Sequence, residues 1–227
     1  MRKKRNNDKL KIILFISAIV IVLLAAAFGI SKIKVDDFHK ASVIFVVDAS
    51  ASNQKDLPKQ TAVLKQLCSM LDPDDQIKIL RVSESSYIIY EGSPQSTSEI
   101  RKAMKKFTQY DKHEYGTAYG LSLKKAFNHS LNLYKEGYIP SVVVIGDLAD
   151  EGNPAYQINW NTFPSDVSQM VKETDGKFSM MFLYASPEKL DFVKEKLNPV
   201  LGEQKLIIGN ETAAARVLSR FLAAIGR

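Results

Sequence analysis

Ser42-Val43-Ile44-Phe45-Val46-Val47-Asp48-Ala49-Ser50-Ala51-Ser52 decides how this chain is read. Val43 to Val47 is an unbroken apolar run, the pattern of a strand buried on both faces of a sheet. It ends in an acid and two hydroxyls, spaced Asp-x-Ser-x-Ser. Open α/β sheets place ligand sites at the carboxyl ends of their central strands. Carboxylate and hydroxyl oxygens are hard donors, suited to Mg²⁺, Mn²⁺ or Ca²⁺ rather than to zinc or copper. The same residues also read as a plain strand exit, in which Ser52 or Asp56 starts the next helix.

Upstream of this stretch the composition changes sharply. Residues 1–11 form a polar tail, and Arg2, Lys3, Lys4, Arg5, Lys9 and Lys11 against Asp8 account for five of the six net positive charges. The remainder is close to neutral and carries no basic footprint for nucleic acid. Residues 12–30 contain no charge, and only Ser17 and Gly29 interrupt their apolar character. As a helix at ~1.5 Å per residue they reach about 28 Å, the thickness of a bilayer core. The cationic cluster before them predicts a cytoplasmic N-terminus, so the expectation is a single-pass membrane protein with its body outside the cytoplasm. The alternative is a secreted protein released by signal-peptide cleavage, for which Ala25-Ala26-Ala27 offers small residues. The length of the apolar run and the flanking Lys32 and Lys34 favour the uncleaved anchor. Residues 31–41 read as a linker that extends to ~40 Å at most.

Downstream, strand and helix patterns alternate. Helices are expected over 53–71, 98–110, 118–134, 166–174, 187–197 and 212–225. Strands are expected over 42–48, 76–82, 87–90, 141–147, 177–184 and 204–208. The connection Ser83-Glu84-Ser85-Ser86 is too short for a parallel return, so the strand at 87–90 pairs antiparallel with its predecessor. Together these predict a doubly wound, mostly parallel six-stranded sheet with one antiparallel edge and helices on both faces. The body, residues 42–227, is expected to be one domain. Cys68, the single cysteine, lies on the apolar face of a helix and reads as a buried hydrophobe. An intramolecular disulfide and a cysteine-ligated cluster are both excluded.

Two further pieces repeat the logic of the first. Gly116-Thr117 precedes a helix, and Ser141-Val142-Val143-Val144-Ile145-Gly146-Asp147 is a second apolar run ending in an acid. In order and context, the three pieces resemble the von Willebrand factor A domain, also called the integrin I-type domain, over about residues 42 to 227. The resemblance implies a Rossmann-like fold and a metal-ion-dependent adhesion site. Ser50 and Ser52 would bind a divalent cation directly, Thr117 would do so in one conformation, and Asp48 and Asp147 would act mainly through bound water. Mg²⁺ suits such a site, because it keeps several waters and needs few carboxylates. The family often has Thr-Asp-Gly where this chain has Gly146-Asp147-Leu148; Asp150 and Glu151 follow as possible substitutes.

Tyr156, Trp160 and Phe163 in the loop after Asp147 read either as an aromatic rim for a partner or as rings that pin the loop. His39, His113 and His129 are scattered, and none is paired with a nucleophile. An acid after the first strand also resembles Mg²⁺-dependent phosphotransferases of the haloacid dehalogenase type, but those carry Asp-x-Asp, and the second acid is here Ser50. There is no Gly-rich phosphate loop, no Gly-x-Ser-x-Gly and no His-Glu-x-x-His. The expectation is a non-enzymatic, membrane-tethered binding module for adhesion or complex assembly. It would recognise an acidic residue of a protein partner through the cation. The alternatives are a phosphotransferase or phosphatase and a metal-free scaffold.

Overall fold

The computed structural model describes residues 40–107, 116–209 and 214–224. The tail, the apolar segment 12–30 and His39 lie outside these residues, as do His113 and most of the polar loop before Thr117. No described helix is long and apolar enough to cross a membrane.

Six strands form one sheet: β1 (Ala41–Asp48), β2 (Gln76–Val82), β3 (Ser86–Gly92), β4 (Ile139–Ile145), β5 (Ser179–Leu183) and β6 (Leu206–Gly209). Their order is β3-β2-β1-β4-β5-β6. All pairings are parallel except β2 with β3, which is antiparallel and places β3 at the edge. The helices are α1 (Leu57–Met70), α2 (Thr97–Met104), α3 (Tyr119–Lys135), α4 (Phe163–Glu173), α5 (Pro187–Leu201) and α6 (Ala214–Ala224).

Strand β1 is buried along its whole length. Its side chains alternate between two cores, as the two-residue period of a strand requires. Val43, Phe45 and Val47 pack with Leu64 and Leu67 of α1 and with Ile100, Phe107 and Phe221. Ile44 and Val46 pack on the opposite face with Tyr119, Leu123, Val167 and Val193. Both faces being covered explains why the strand reads as a continuous apolar run. Cys68 is buried in the first of these cores, and burial pushes its thiol up to about 12, as suits a packing residue.

Several element boundaries differ from the sequence reading. Helix α1 starts at Leu57, not at residue 53, because turns occupy 51–56. Asp56, not Ser52, stands at the N-cap position, without a side-chain cap bond. Strand β4 begins at Ile139 and runs through Pro140. The Ile139 N–H donates to the Lys40 carbonyl on the β1 side, while pairing with β5 begins only at Ser141. Successive residues of a parallel strand bond to opposite neighbours, so the missing Pro140 N–H faces a side where no strand has yet arrived. Helix α4 starts at Phe163, three residues early, with Pro164 in its first turn, where no intrahelical donor is needed. Helix α5 extends past Leu197 to Leu201, with Pro199 in its last turns.

Candidate functional site

Strand β1 connects onward to β2 on one side, and β4 onward to β5 on the other. The chain therefore reverses direction between β1 and β4, and the crevice at their carboxyl ends is the switch point of the sheet. Asp48 ends β1, and Asp147 follows β4 by two residues.

Asp48 is fully buried. Its Oδ1 accepts the Ser50 N–H at 2.8 Å, an Asx-type turn that bends the chain as it leaves the sheet. Its Oδ2 accepts the Tyr119 hydroxyl at 2.9 Å. Burial pushes the Asp48 carboxyl up to about 6; bonds from Ser50 and Tyr119 oppose that shift, and the nearby Asp147 charge adds to it. Asn53 fastens the turn from below, donating to the Asp48 carbonyl at 2.7 Å and exchanging two bonds with Gln60. The turn brings the Ser50 and Ser52 hydroxyls within 3.2 Å of each other, Ser50 buried and Ser52 exposed.

Thr117 arrives from a different direction. Its N–H donates to the Glu151 carbonyl, and the next N–H, of Ala118, donates to the Ser83 carbonyl at the end of β2. These two bonds fix the entry to α3. The Thr117 hydroxyl is buried yet has no hydrogen-bond partner among the described residues. Leaving a buried hydroxyl unpaired costs about 1–3 kcal/mol, which a ligand atom at that oxygen would offset.

Asp147 is half-buried. Its Oδ1 accepts the Ala149 N–H at 2.7 Å, the same turn that Asp48 makes, and its backbone carbonyl accepts Lys189 Nζ at 2.9 Å. The electrostatic influence of Asp147 on both Asp48 and Tyr119 places the two acids in one neighbourhood.

Asp150 and Glu151 are held differently from Asp147, and Asp150 Oδ1 is buried with no hydrogen-bond partner among the described residues. Asp150 Oδ2 accepts the Ile158 N–H at 2.7 Å, and its carboxylate also faces the Tyr119 N–H at the start of α3. Burial pushes it up to about 6. Glu151 has an exposed side chain and contributes its backbone carbonyl to Thr117. Both residues strap the β4–α4 loop across the first turn of α3. Gly120 permits this close approach, since a Cβ there would lie 2.1 Å from the Gln157 carbonyl oxygen.

The aromatic trio divides. Phe163 is buried and stacks on Phe127 at 5.8 Å, so it belongs to the core and not to a rim. Trp160 is half-buried, edge-on to Phe163 and Phe192. Tyr156 is exposed. Two residues the sequence reading passed over belong to the site region, Tyr119 and Lys189. His129, half-buried, lies elsewhere, its Nδ1 3.1 Å from Lys78 Nζ.

Among the described residues no group of three or more His, Cys, Asp or Glu could hold a metal ion. A cation here would therefore need the hydroxyls. The donor set fits one: an orphaned buried hydroxyl, a pair of adjacent serine hydroxyls and two acids are all oxygen donors of the kind Mg²⁺ and Mn²⁺ accept.

The family model of the von Willebrand factor type A domain matches residues 42–181, from β1 into β5, including all three motif pieces. No curated protein matches the chain. Among solved structures, a von Willebrand factor type A protein from Catenulispora acidiphila is 16% identical with a TM-score of 0.52, over 82% of this chain and 42% of that one. The pilus adhesin SpaC from Lactobacillus rhamnosus GG is 10% identical with a TM-score of 0.57, over 82% of this chain and 30% of that one. The manganese-loaded TRAP protein of Plasmodium vivax is 14% identical with a TM-score of 0.54, over 82% and 74%. The chain thus spans less than half the length of the first two, and at these identities the likeness is one of fold. The matched segment covers more than half of the sequence and the sheet order agrees with it, so this chain belongs to the von Willebrand factor type A domain family.

Proposed function

We infer that the protein is a binding module that uses a divalent cation at the β1–β4 crevice to engage an acidic residue of a protein partner. The observation that carries this reading is the buried Thr117 hydroxyl, without a partner among the described residues, beside a strand exit rich in oxygen donors. Ser50, Ser52 and Thr117 would hold the ion through their hydroxyls, and Asp48 and Asp147 would hold its waters. When bound, the ion supplies an electron-poor position at which an incoming carboxylate can bind.

The chain's own residues prepare that position. The Ser50 N–H and the Tyr119 hydroxyl keep both Asp48 oxygens occupied, so the buried acid remains in place as a fixed negative charge facing the crevice. Lys189 holds the Asp147 backbone through its carbonyl and leaves the carboxylate oriented by the Ala149 N–H. The bonds from Thr117 and Ala118 fix the backbone that presents the Thr117 hydroxyl.

The family is one of protein-interaction and adhesion modules, and the neighbours in fold include a pilus adhesin and a manganese-loaded protein. Both support the reading. The uncharged segment 12–30 and the cationic tail before it add tethering to the cell membrane, with the N-terminus cytoplasmic and the domain outside. The crevice lies at the opposite end of β1 from Ala41. The reading is of binding rather than catalysis, in keeping with a family of interaction modules.

Calorimetric titration of the full chain with Mg²⁺ and Mn²⁺ tests the cation. A saturable heat at one site per chain is expected, and no heat at millimolar metal contradicts it. Partner capture with Mg²⁺ and with EDTA tests the rest; a partner retained equally in EDTA contradicts the cation bridge.

A further inference from the structure

Tyr119 links two of the three motif pieces and lies just after the third. It follows Thr117 by two residues and is fully buried. Its hydroxyl donates to Asp48 Oδ2 at 2.9 Å and accepts the Leu148 N–H at 3.2 Å. It stands where a side chain at position 146 would begin, since a Cβ on Gly146 would lie 2.1 Å from the Tyr119 oxygen and 2.5 Å from Asp48 Cβ. The glycine is therefore the opening through which the phenol reaches the β1 exit.

Each bond has a consequence. A tyrosine hydroxyl has one proton to give, and here it goes to the carboxylate. The oxygen's acceptor capacity goes to Leu148, whose backbone is unusual in having φ of 56° without being glycine. A strained residue persists only where its surroundings hold it, and the Tyr119 bond is one such restraint. The turn beginning at Asp147 and the carboxylate of Asp48 are thus joined through a single oxygen.

We propose that Tyr119 is a positioning residue that couples the Asp48 carboxylate to the backbone at Leu148, so that cation binding at the β1 exit and the conformation of the β4–α4 loop depend on each other. The inference rests on the cation-binding reading. It adds that loop order responds to the ion, and that by reciprocity the ion responds to whatever orders the loop.

Tyr119→Phe removes the oxygen and keeps the ring. The test combines Mg²⁺ calorimetry with hydrogen exchange at the Leu148 amide, both on the full chain with a melting curve for each form. Wild type is expected to bind Mg²⁺ and to show slower Leu148 exchange when it does. In Y119F, affinity is expected to fall about tenfold, the low end of what losing a partner of a metal-site residue costs, and the Mg²⁺-dependent slowing is expected to vanish. Equal affinity and an unchanged Leu148 response in Y119F overturn the coupling and leave the cation reading intact. No Mg²⁺ binding by wild type overturns both. If Y119F does not fold, wild type alone decides: Leu148 exchange that is indifferent to Mg²⁺ overturns the proposal, and slowing supports it.

Discussion

The exits of β1 and β4 begin alike and end differently. Each is an apolar strand closing on an acid, the strands are neighbours, and each acid accepts the N–H two residues ahead, Ser50 for Asp48 and Ala149 for Asp147. Yet Asp48 is fully buried and Asp147 only half-buried. The difference lies in what surrounds each turn. Beyond Asp48 come two hydroxyls, with a tyrosine from α3 closing over its second oxygen. Beyond Asp147 come Leu148 and Ala149, with a lysine holding the backbone. The same local turn therefore makes a buried, fully hydrogen-bonded anion in one place and an accessible charge in the other. The β1 exit offers oxygen donors, and the β4 exit offers charge.

Exchanging each acid for its amide breaks this comparison most sharply. Asp48→Asn is expected to weaken Mg²⁺ binding about 100-fold or more, the upper range for disrupting a metal site's surroundings. The metal-free protein is expected to melt somewhat lower too, because asparagine keeps one acceptor oxygen and sets its amide N–H₂ against the Ser50 N–H or the Tyr119 hydroxyl. Asp147→Asn is expected to weaken binding about tenfold. Titrations paired with melting curves check both; equal losses from the two substitutions contradict the division of roles.

Next in size is Gly146→Ala. The added Cβ meets Tyr119 and Asp48 well inside contact distance, so a destabilisation of about 1–3 kcal/mol is expected from overpacking. Gly137→Ala is a poor control for space, since Gly137 has a positive φ of 93°. Denaturant unfolding of Gly146→Ala beside Ala149→Gly, a change in the same loop, makes the better pair.

Thr117→Val separates binding from folding. It removes a hydroxyl that has no partner among the described residues, so the metal-free protein is expected to melt at the same temperature or higher. Mg²⁺ affinity is expected to fall about tenfold for one lost charge-assisted contact. A Val variant that melts lower and binds normally contradicts the role given to Thr117.

The smallest expected effect is in pH. Asp48 and Asp150 both have folded-state carboxyls near 6, above the ordinary 3.8, chiefly through burial. Between those values the folded state binds more protons than the unfolded one, so stability falls as pH rises from about 4 to about 6 and then levels off. Without metal, the melting temperature is expected to be a few degrees lower at pH 7 than at pH 5. Protons and cation compete for the same buried charge, so Mg²⁺ affinity should rise with pH through about 6 and recover part of that loss. A metal-free protein that is more stable at pH 7 contradicts the burial of Asp48.

Much of this was legible in the chain. The continuous apolar run of β1 reports burial on both faces, and the four-residue connection Ser83–Ser86 forces the antiparallel edge. The three motif pieces and their order are also visible. Two boundaries moved because proline is ambiguous in sequence: Pro140 reads as a stop but occupies a strand position whose missing donor faces no neighbour, and Pro164 lies in the first turn of a helix that starts three residues before the expected position. Within the site, Tyr119 was missed because a tyrosine among apolar helical residues reads as core. The signal that could have found it was Gly146, where the expected hydroxyl is absent and something else must fill the volume. Phe163 reads as a loop residue, either rim or pin, because its helix begins earlier than its neighbours suggest. Asp150 and Glu151 read as possible substitutes around Asp147; that they also hold the loop to α3 is a contact between residues distant in sequence that no local pattern reveals.

The most direct test of the central claim is a crystal of the protein grown with MnCl₂ and measured at the manganese absorption edge. The account predicts a single anomalous peak among the Ser50, Ser52 and Thr117 hydroxyls, with Asp48 and Asp147 at its water shell. A fully ordered crevice with no peak at millimolar Mn²⁺, or a peak elsewhere on the molecule, contradicts it.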